Sequence, residues 1–141
     1  MLNDLKSRIK YETERPNIDQ YWILFNSTGW NKEYKFSIEE LETAIEKSWY
    51  SISVYINQKL IGFGRILSDG IHHALIVDLI IYPKYQGNGI GSEILKRLLK
   101  VCTEKNIRDI QLFSATGKSK FYEKYGFQKR NENSPGMEYV Y

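Results

Sequence analysis

The chain is poor in residues that form covalent or metallic cross-links. Its 141 residues include one cysteine, Cys102, with two histidines and three prolines. A single cysteine excludes an internal disulfide and a multi-cysteine metal site. We therefore expect no metal and a fold that depends on packing, for which a chain of this length is sufficient.

Charge of one sign and long apolar runs are also scarce. Twenty Lys and Arg against seventeen Asp and Glu give a formal charge of +3, and because the basic residues are scattered we predict no nucleic-acid binding. The start, residues 1–6, lacks the apolar run of a signal peptide. No stretch approaches the roughly 20 apolar residues that cross a bilayer. We expect a cytoplasmic protein without membrane contact.

What the chain does contain is a continuous series of helix and strand patterns. No linker or repeat divides it, so we expect one domain over residues 1–141. The first half of the chain predicts a strand at Ser7–Glu12, a helix capped by Asn17 or Asp19 and ending near Thr28-Gly29, and a helix with Ser37 and Glu40 as capping box. A hairpin over 52–66, turning at Asn57-Gln58, and a buried strand at Ala74–Tyr82 follow. The remainder predicts a helix over 90–101, a strand at Asp109–Phe113, a helix at Ser119–Tyr125 and a last strand at Met137–Tyr141. This order is typical of a mixed α/β (α+β) sandwich.

A glycine-rich turn follows the most apolar of these strands. It consists of Gln86-Gly87-Asn88-Gly89-Ile90-Gly91 and stands where a helix begins. First-turn amides lack internal partners and the helix dipole adds positive charge, so the turn predicts a phosphate site. A P-loop would need a Lys before Ser92, and a Rossmann turn would follow the first strand of a βαβ unit. Neither context is present.

Two blocks of the sequence resemble the GNAT superfamily of acyl-CoA N-acyltransferases. Gln86, Gly89 and Gly91 match its signature Gln/Arg-x-x-Gly-x-Gly/Ala, and residues 121–127 match its block Phe-Tyr-Glu-Lys-x-Gly-Phe without a break. The resemblance covers the chain from about Ser48 onward, and before that only the order of elements. It implies a mostly antiparallel central sheet with flanking helices and two strands splayed apart at the coenzyme A site.

The resemblance also implies where acetyl-CoA, the expected co-substrate, would lie. The backbone of Leu79, Ile80 and Ile81 would hydrogen-bond the pantetheine arm. The pyrophosphate would be bound by the glycine turn and the residue after it, namely Gln86, Gly87, Asn88, Gly89, Ile90, Gly91 and Ser92. Phe121 would lie beside the cofactor. Family members often have Asn six residues before the Phe of the second block. Here that residue is Ala115, which implies that a pantetheine contact is missing.

Two residues are candidates for catalysis. Tyr122 matches the tyrosine with which the family hydrogen-bonds or protonates the leaving thiolate, although packing like Phe121 is the alternative. Asp78 stands in an otherwise apolar strand, where burial would raise its pKa toward that of a general base. A structural role as acceptor for a loop amide is an equal alternative for Asp78.

Other residues are weaker candidates. His72 and His73 could relay protons, but histidines beside a turn are more often exposed. Cys102 falls on the apolar side of its helix and is expected in the core. Aromatic side chains of the first half could hold an amine by cation–π contact in the acceptor pocket or pack in the core: Tyr21, Trp22, Trp30 and Tyr34.

Together these features predict an acetyl-CoA-dependent N-acetyltransferase that acts on the primary amine of a small molecule. Transfer would be direct, because no Cys or Ser is placed to carry the acyl group. The alternatives are a non-catalytic acyl-CoA-binding module and a protein lysine or N-terminal acetyltransferase. The resemblance also leaves a homodimer as an alternative to a monomer, since proteins of this family often dimerise.

Overall fold

The computed structural model describes residues 2–141, which are built around one five-stranded sheet. The strands are β1 Ile9–Glu12, β2 Tyr50–Ile56, β3 Lys59–Ser68, β4 His73–Ile81 and β5 Asp109–Leu112. They lie in the order β1-β2-β3-β4-β5, antiparallel except that β5 runs parallel to β4. The helices are α1 Leu2–Arg8, α2 Ile18–Asn26, α3 Asn31–Tyr34, α4 Ile38–Glu46, α5 Ile90–Glu104 and α6 Ser119–Glu123. The mixed α/β fold with a mostly antiparallel sheet is confirmed.

Each face of the sheet is covered by helices. Helix α5 packs on one face through Ile90, Ile94 and Leu98, which recur about one turn apart, and Cys102 lies in the same buried cluster as expected. Helices α2 and α4 cover the other face. Alternate residues of a strand face opposite sides, so one sheet supplies both clusters. Within residues 2–141 the helices are too short or too polar to cross a membrane.

The predicted helix starts and hairpin turn are present. Asn17 Oδ1 accepts hydrogen bonds from the amides of residues 19 and 20 at the start of α2. At α4 the amide of Ser37 donates to Glu40 Oε2 (2.8 Å), and the amide of Glu40 donates to Ser37 Oγ (3.1 Å). Asn57 and Gln58 both have positive φ, 48° and 67°, as a two-residue type I′ hairpin requires.

The two ends of the chain differ from the prediction. The first strand begins at Ile9 rather than Ser7, because α1 extends through Arg8. The predicted last strand at Met137–Tyr141 is wrong, since this segment has no strand structure and its side chains are exposed. Apolar composition favours a strand, but a strand also needs a neighbour for its backbone hydrogen bonds.

Strand β4 separates from β5 halfway along its length. Their pairing ends at Ile76 and Leu112, whereas β4 continues to Ile81 paired only with β3. Over this stretch β4 contains one extra residue relative to β3, and Asp78 there has φ 53°. Such a bulge bends a strand and re-aims its side chains. The splayed strand pair is therefore present, and it leaves residues 77–81 with one open edge.

Candidate active site

A cleft of about 520 Å³ lies between β4 and the start of α5 on one side and α6 on the other. We call it the cofactor cleft. It is lined by Leu79, Ile81, Tyr85, Gln86, Gly87, Gly89, Ile90, Gly91, Ser92, Ala115, Lys118, Phe121 and Tyr122. All but two of the predicted cofactor residues are therefore brought together in one cleft.

The two exceptions have other contacts. Ile80 is 3% exposed and packs toward α2 and α4, because it alternates with its neighbours along β4. Asn88 Nδ2 donates to the carbonyl oxygens of Tyr85 (3.0 Å) and Gln86 (3.3 Å), which closes the turn on itself. Sequence reasoning did not assign Tyr85 or Lys118 to the cleft. Their position beside the two family blocks was the available signal.

The glycine turn leaves open space beside its backbone. Gly87 and Gly89 have φ of 79° and 78°, a conformation that glycine adopts without strain. Apart from the adjacent residues, no atom of the described chain lies within 4 Å of a Cβ placed at either glycine, and no side chain of that chain caps α5. The first amides of α5 therefore stay open to the cleft. Gln86 Nε2 donates to the carbonyl oxygen of Ile81 (3.0 Å) and fixes the turn to the end of β4.

Tyr122 lies where the cofactor cleft meets a second cleft, and its side chain lines both. Helix α6 presents the residue, and its ring packs edge-on against Phe121 and Phe127 at centroid distances of 5.0 and 6.2 Å. Burial raises the pKa of Tyr122 above its ordinary value of 10.0. The phenol therefore keeps its proton at neutral pH and can donate a hydrogen bond.

The second cleft opens in the gap between β4 and β5, and we call it the acceptor cleft. Asp78, Phe113 and Trp30 line it together with Tyr122. The two candidate catalytic residues therefore face one space. Among the four aromatic candidates, Trp30 alone lines this cleft.

The other three aromatic candidates lie elsewhere. Tyr21 is 1% exposed in the core, and Trp22 packs against the same cluster. Tyr34 is exposed and stacks on Phe36 at 5.4 Å. The acceptor wall therefore contains fewer aromatic residues than the sequence allowed.

Asp78 has a cationic partner that the sequence did not indicate. Its Oδ2 accepts a hydrogen bond from Arg65 Nε at 2.7 Å, and the two side chains are 24% and 12% exposed. Arg65 Nη1 also donates to the carbonyl oxygen of Ala44 (3.0 Å) and to Ser48 Oγ (3.4 Å). The carboxylate is thus paired with a guanidinium rather than with a loop amide or with apolar side chains alone. Burial, and next the charge of Asp78, raise the pKa of the core residue Tyr21.

The histidines lie at the other end of β4. His73 Nδ1 is 2.8 Å from Asp109 Oδ2, and the rings of His72 and His73 stack at 3.6 Å. Hydrogen bonds from Gln111 and His73 lower the pKa of Asp109. Neither histidine lines the cofactor or acceptor cleft. Across residues 2–141, no group of three His, Cys, Asp or Glu is placed to hold a metal ion.

Known proteins share both the sequence pattern and the fold. The model of the acetyltransferase (GNAT) domain matches residues 24–136. The uncharacterized N-acetyltransferase ycf52 of Pyropia yezoensis is 32% identical over 133 residues, which cover 90% of this chain and 75% of that protein. Histone acetyltransferase TAP1 of Glycine max is 28% identical over 134 residues, or 86% of this chain and 57% of that protein.

A solved structure has the same fold. A GNAT family acetyltransferase from Streptococcus pneumoniae has a TM-score of 0.77 at 24% identity, covering 94% of this chain and 98% of that one. At this identity the likeness shows the fold. The family match and the relatives identify the protein as an enzyme of the acyltransferase class. The chain belongs to the GNAT family of acetyltransferases.

Proposed function

We propose that this enzyme transfers the acetyl group of acetyl-CoA directly to the primary amine of a small molecule. The observation that carries the proposal is Tyr122, whose side chain borders both clefts. A proton donor at this junction lies where a thioester from one cleft and an amine from the other would meet. Placing both reactants in such proximity supplies much of the rate enhancement of a direct transfer.

Two parts of the cofactor cleft support acetyl-CoA as its ligand. Its start offers the open amides of α5, which suit a pyrophosphate. Leu79 and Ile81 line the next stretch, beside the part of β4 that has no partner in β5. A pantetheine arm carries amides that can pair with such an open strand edge. When bound, acetyl-CoA supplies an activated thioester.

The chain's own residues then account for the proton movements. The amine nitrogen forms a bond to the thioester carbon, and the carbon–sulfur bond breaks. Tyr122 donates its phenolic proton, or a hydrogen bond, to the departing sulfur. Asp78, which lines the acceptor cleft, takes one proton from the incoming ammonium directly or through water. The second nitrogen proton, released as the amide forms, passes to the Tyr122 oxygen or, where Tyr122 has given only a hydrogen bond, to the thiolate through water. The products are an N-acetyl amine and free coenzyme A, and no residue is acylated.

A protein amine is the second candidate acceptor. It is favoured by the relative from Glycine max, which is named a histone acetyltransferase. A basic peptide would be held best by several carboxylates along an open groove. Asp78 is the one acidic residue among the described residues that line the acceptor cleft, and Trp30 and Phe113 border it with apolar surface. We therefore favour the small molecule.

The proposal is tested by the release of free thiol from acetyl-CoA. Small primary amines are compared with lysine-containing peptides and with peptides that offer a free amino terminus. We expect kcat/KM to be higher for at least one small amine than for any peptide. Turnover with peptides alone would establish the second candidate. Binding of acetyl-CoA without turnover on any amine would contradict both.

A further inference from the structure

Lys118 is the single charged side chain among the described residues that line the cofactor cleft. We propose that its ammonium group binds the pyrophosphate of acetyl-CoA from the wall opposite the amides of α5. Lys118 is then a residue that sets cofactor affinity. This inference rests on the proposed function, since it concerns the same cofactor.

The backbone of Lys118 is fixed by a tight turn. Its amide donates to the carbonyl oxygen of Ala115 (3.0 Å), and Gly117, the third residue of the turn, has φ 75°. A type II turn requires positive φ at that position. The carbonyl oxygen of Lys118 in turn accepts from the amide of Phe121 (3.0 Å) at the start of α6. The turn that starts the helix of Tyr122 therefore also sets Lys118 on the cleft wall.

Among the residues that the structure describes, the ammonium group of Lys118 has no acidic partner. None of the ion pairs found in residues 2–141 includes Lys118, and no Asp or Glu lines the cleft. Lys84 and Lys96 do not line the cleft, and their ammonium groups lie over the rings of Tyr85 and Tyr125. Lys118 is the cation that remains for a ligand in this cleft.

The charge of the ligand calls for such a cation. The start of a helix contributes the equivalent of roughly half a positive charge, whereas a pyrophosphate diester carries two negative charges. Lysine is a common phosphate ligand that acts as a point charge. Lys118 and the glycine turn line the same cleft, which favours the pyrophosphate proposed for that turn over the 3′-phosphate. Ala115, three residues before Lys118, stands where family members often have an Asn that contacts the pantetheine. Lys118 lines the same cleft and would add a cofactor contact near the missing one.

The test compares Lys118→Met with Lys120→Met. Both variants remove one positive charge from the same short segment, but Lys120 does not line the cleft. Calorimetry measures three ligands: coenzyme A, dephospho-coenzyme A, which lacks the 3′-phosphate, and pantetheine, which lacks all phosphates. We expect Lys118→Met to raise the Kd of the first two by the same factor, roughly tenfold, because one charge-assisted hydrogen bond is lost. Pantetheine affinity and all affinities of Lys120→Met should stay unchanged.

Turnover provides a second readout. Lys118→Met should raise the KM for acetyl-CoA and leave kcat unchanged, and Lys118→Arg should restore most of the affinity. A loss confined to coenzyme A would assign Lys118 to the 3′-phosphate and overturn the proposal. Unchanged affinity for coenzyme A would also overturn it, while leaving the proposed function intact if the unmodified enzyme binds and turns over acetyl-CoA.

Discussion

The phenol of Tyr122 is suited to donate a proton and not to accept one. Burial raises its pKa, so at neutral pH the leaving thiolate meets an O–H group. For Tyr122→Phe we predict that kcat falls by roughly 100-fold, which is typical of the loss of a general acid. The Kd of acetyl-CoA should change little, because the ring and its packing remain. Steady-state kinetics and calorimetry measure the two quantities.

Tyr125→Phe is the matched control for Tyr122→Phe. Tyr125 also packs on Phe121, at 5.4 Å, but it does not line the cofactor cleft, so its kcat should be unchanged. The raised pKa of Tyr122 means that its active, protonated form persists up to and beyond the ordinary value of 10.0. The kcat of the unmodified enzyme should therefore not decline between pH 7 and 9. A decline there that disappears in Tyr122→Phe would contradict the assignment.

Gly89 and Gly91 separate two roles of glycine in the turn. Gly89→Ala places a side chain at φ 78°, which costs about 1–2 kcal/mol for a non-glycine residue, and its methyl group would occupy open space beside the turn. Gly91 is helical, and a Cβ there would meet only Ile81 at 3.8 Å among the described residues. We predict that Gly89→Ala lowers both Tm and coenzyme A affinity. Gly91→Ala should keep or raise Tm with a smaller loss of affinity. Thermal unfolding measures Tm and calorimetry measures the affinity for coenzyme A. Equal losses of both in Gly89→Ala and Gly91→Ala would contradict this account.

At the scale of elements, the bulge in β4 is the device that opens the sheet. Asp78 occupies a left-handed conformation there, and its carboxylate is tied to Arg65 of β3. Arg65 also donates to Ala44 and Ser48 at the end of α4. The pair therefore fixes the bulge relative to β3 and α4, in addition to presenting a carboxylate to the acceptor cleft. These structural and catalytic roles predict different pH profiles.

For Asp78→Asn we predict a lower kcat at pH 7 that recovers as the pH approaches the pKa of the amine. A base is needed only while the acceptor arrives as an ammonium ion, so its loss matters less once the amine is already neutral. A deficit that is equal at all pH values would assign Asp78 to the bulge alone. Arg65→Gln is the companion variant, because it breaks the same pair and keeps the carboxylate. Arg65→Gln should lower the free energy of unfolding by about 2 kcal/mol, because the Asp78 carboxylate loses its partner. It should not show the kcat deficit at pH 7 that recovers at higher pH in Asp78→Asn.

At the scale of the whole molecule, the sequence predicted what is encoded locally. The Ser37 capping box, the Asn57-Gln58 turn and the apolar stripe of α5 each depend on residues a few positions apart. Helix α3 has four residues, too few for a periodic pattern to show. The contact of Arg65 with Asp78 depends on a bulge, which the spacing of apolar residues does not record. The place of Lys118 in the cofactor cleft likewise depends on how α6 packs beside β4.

The segment from Met137 to Tyr141 shows where apolar pattern fails as a guide. Met137, Tyr139 and Val140 are 88%, 79% and 82% exposed, so they bury little apolar area and should add little stability. We predict that a chain ending at Gly136 keeps its Tm within about 2 °C, well under the shift that 1 kcal/mol produces, and keeps its affinity for coenzyme A. Phe127→Ala is the positive control. Phe127 is half-buried against Tyr122, and its loss should cost about 2 kcal/mol. If the truncation lowered Tm as much as Phe127→Ala does, the segment would pair with the sheet as its sequence pattern indicated.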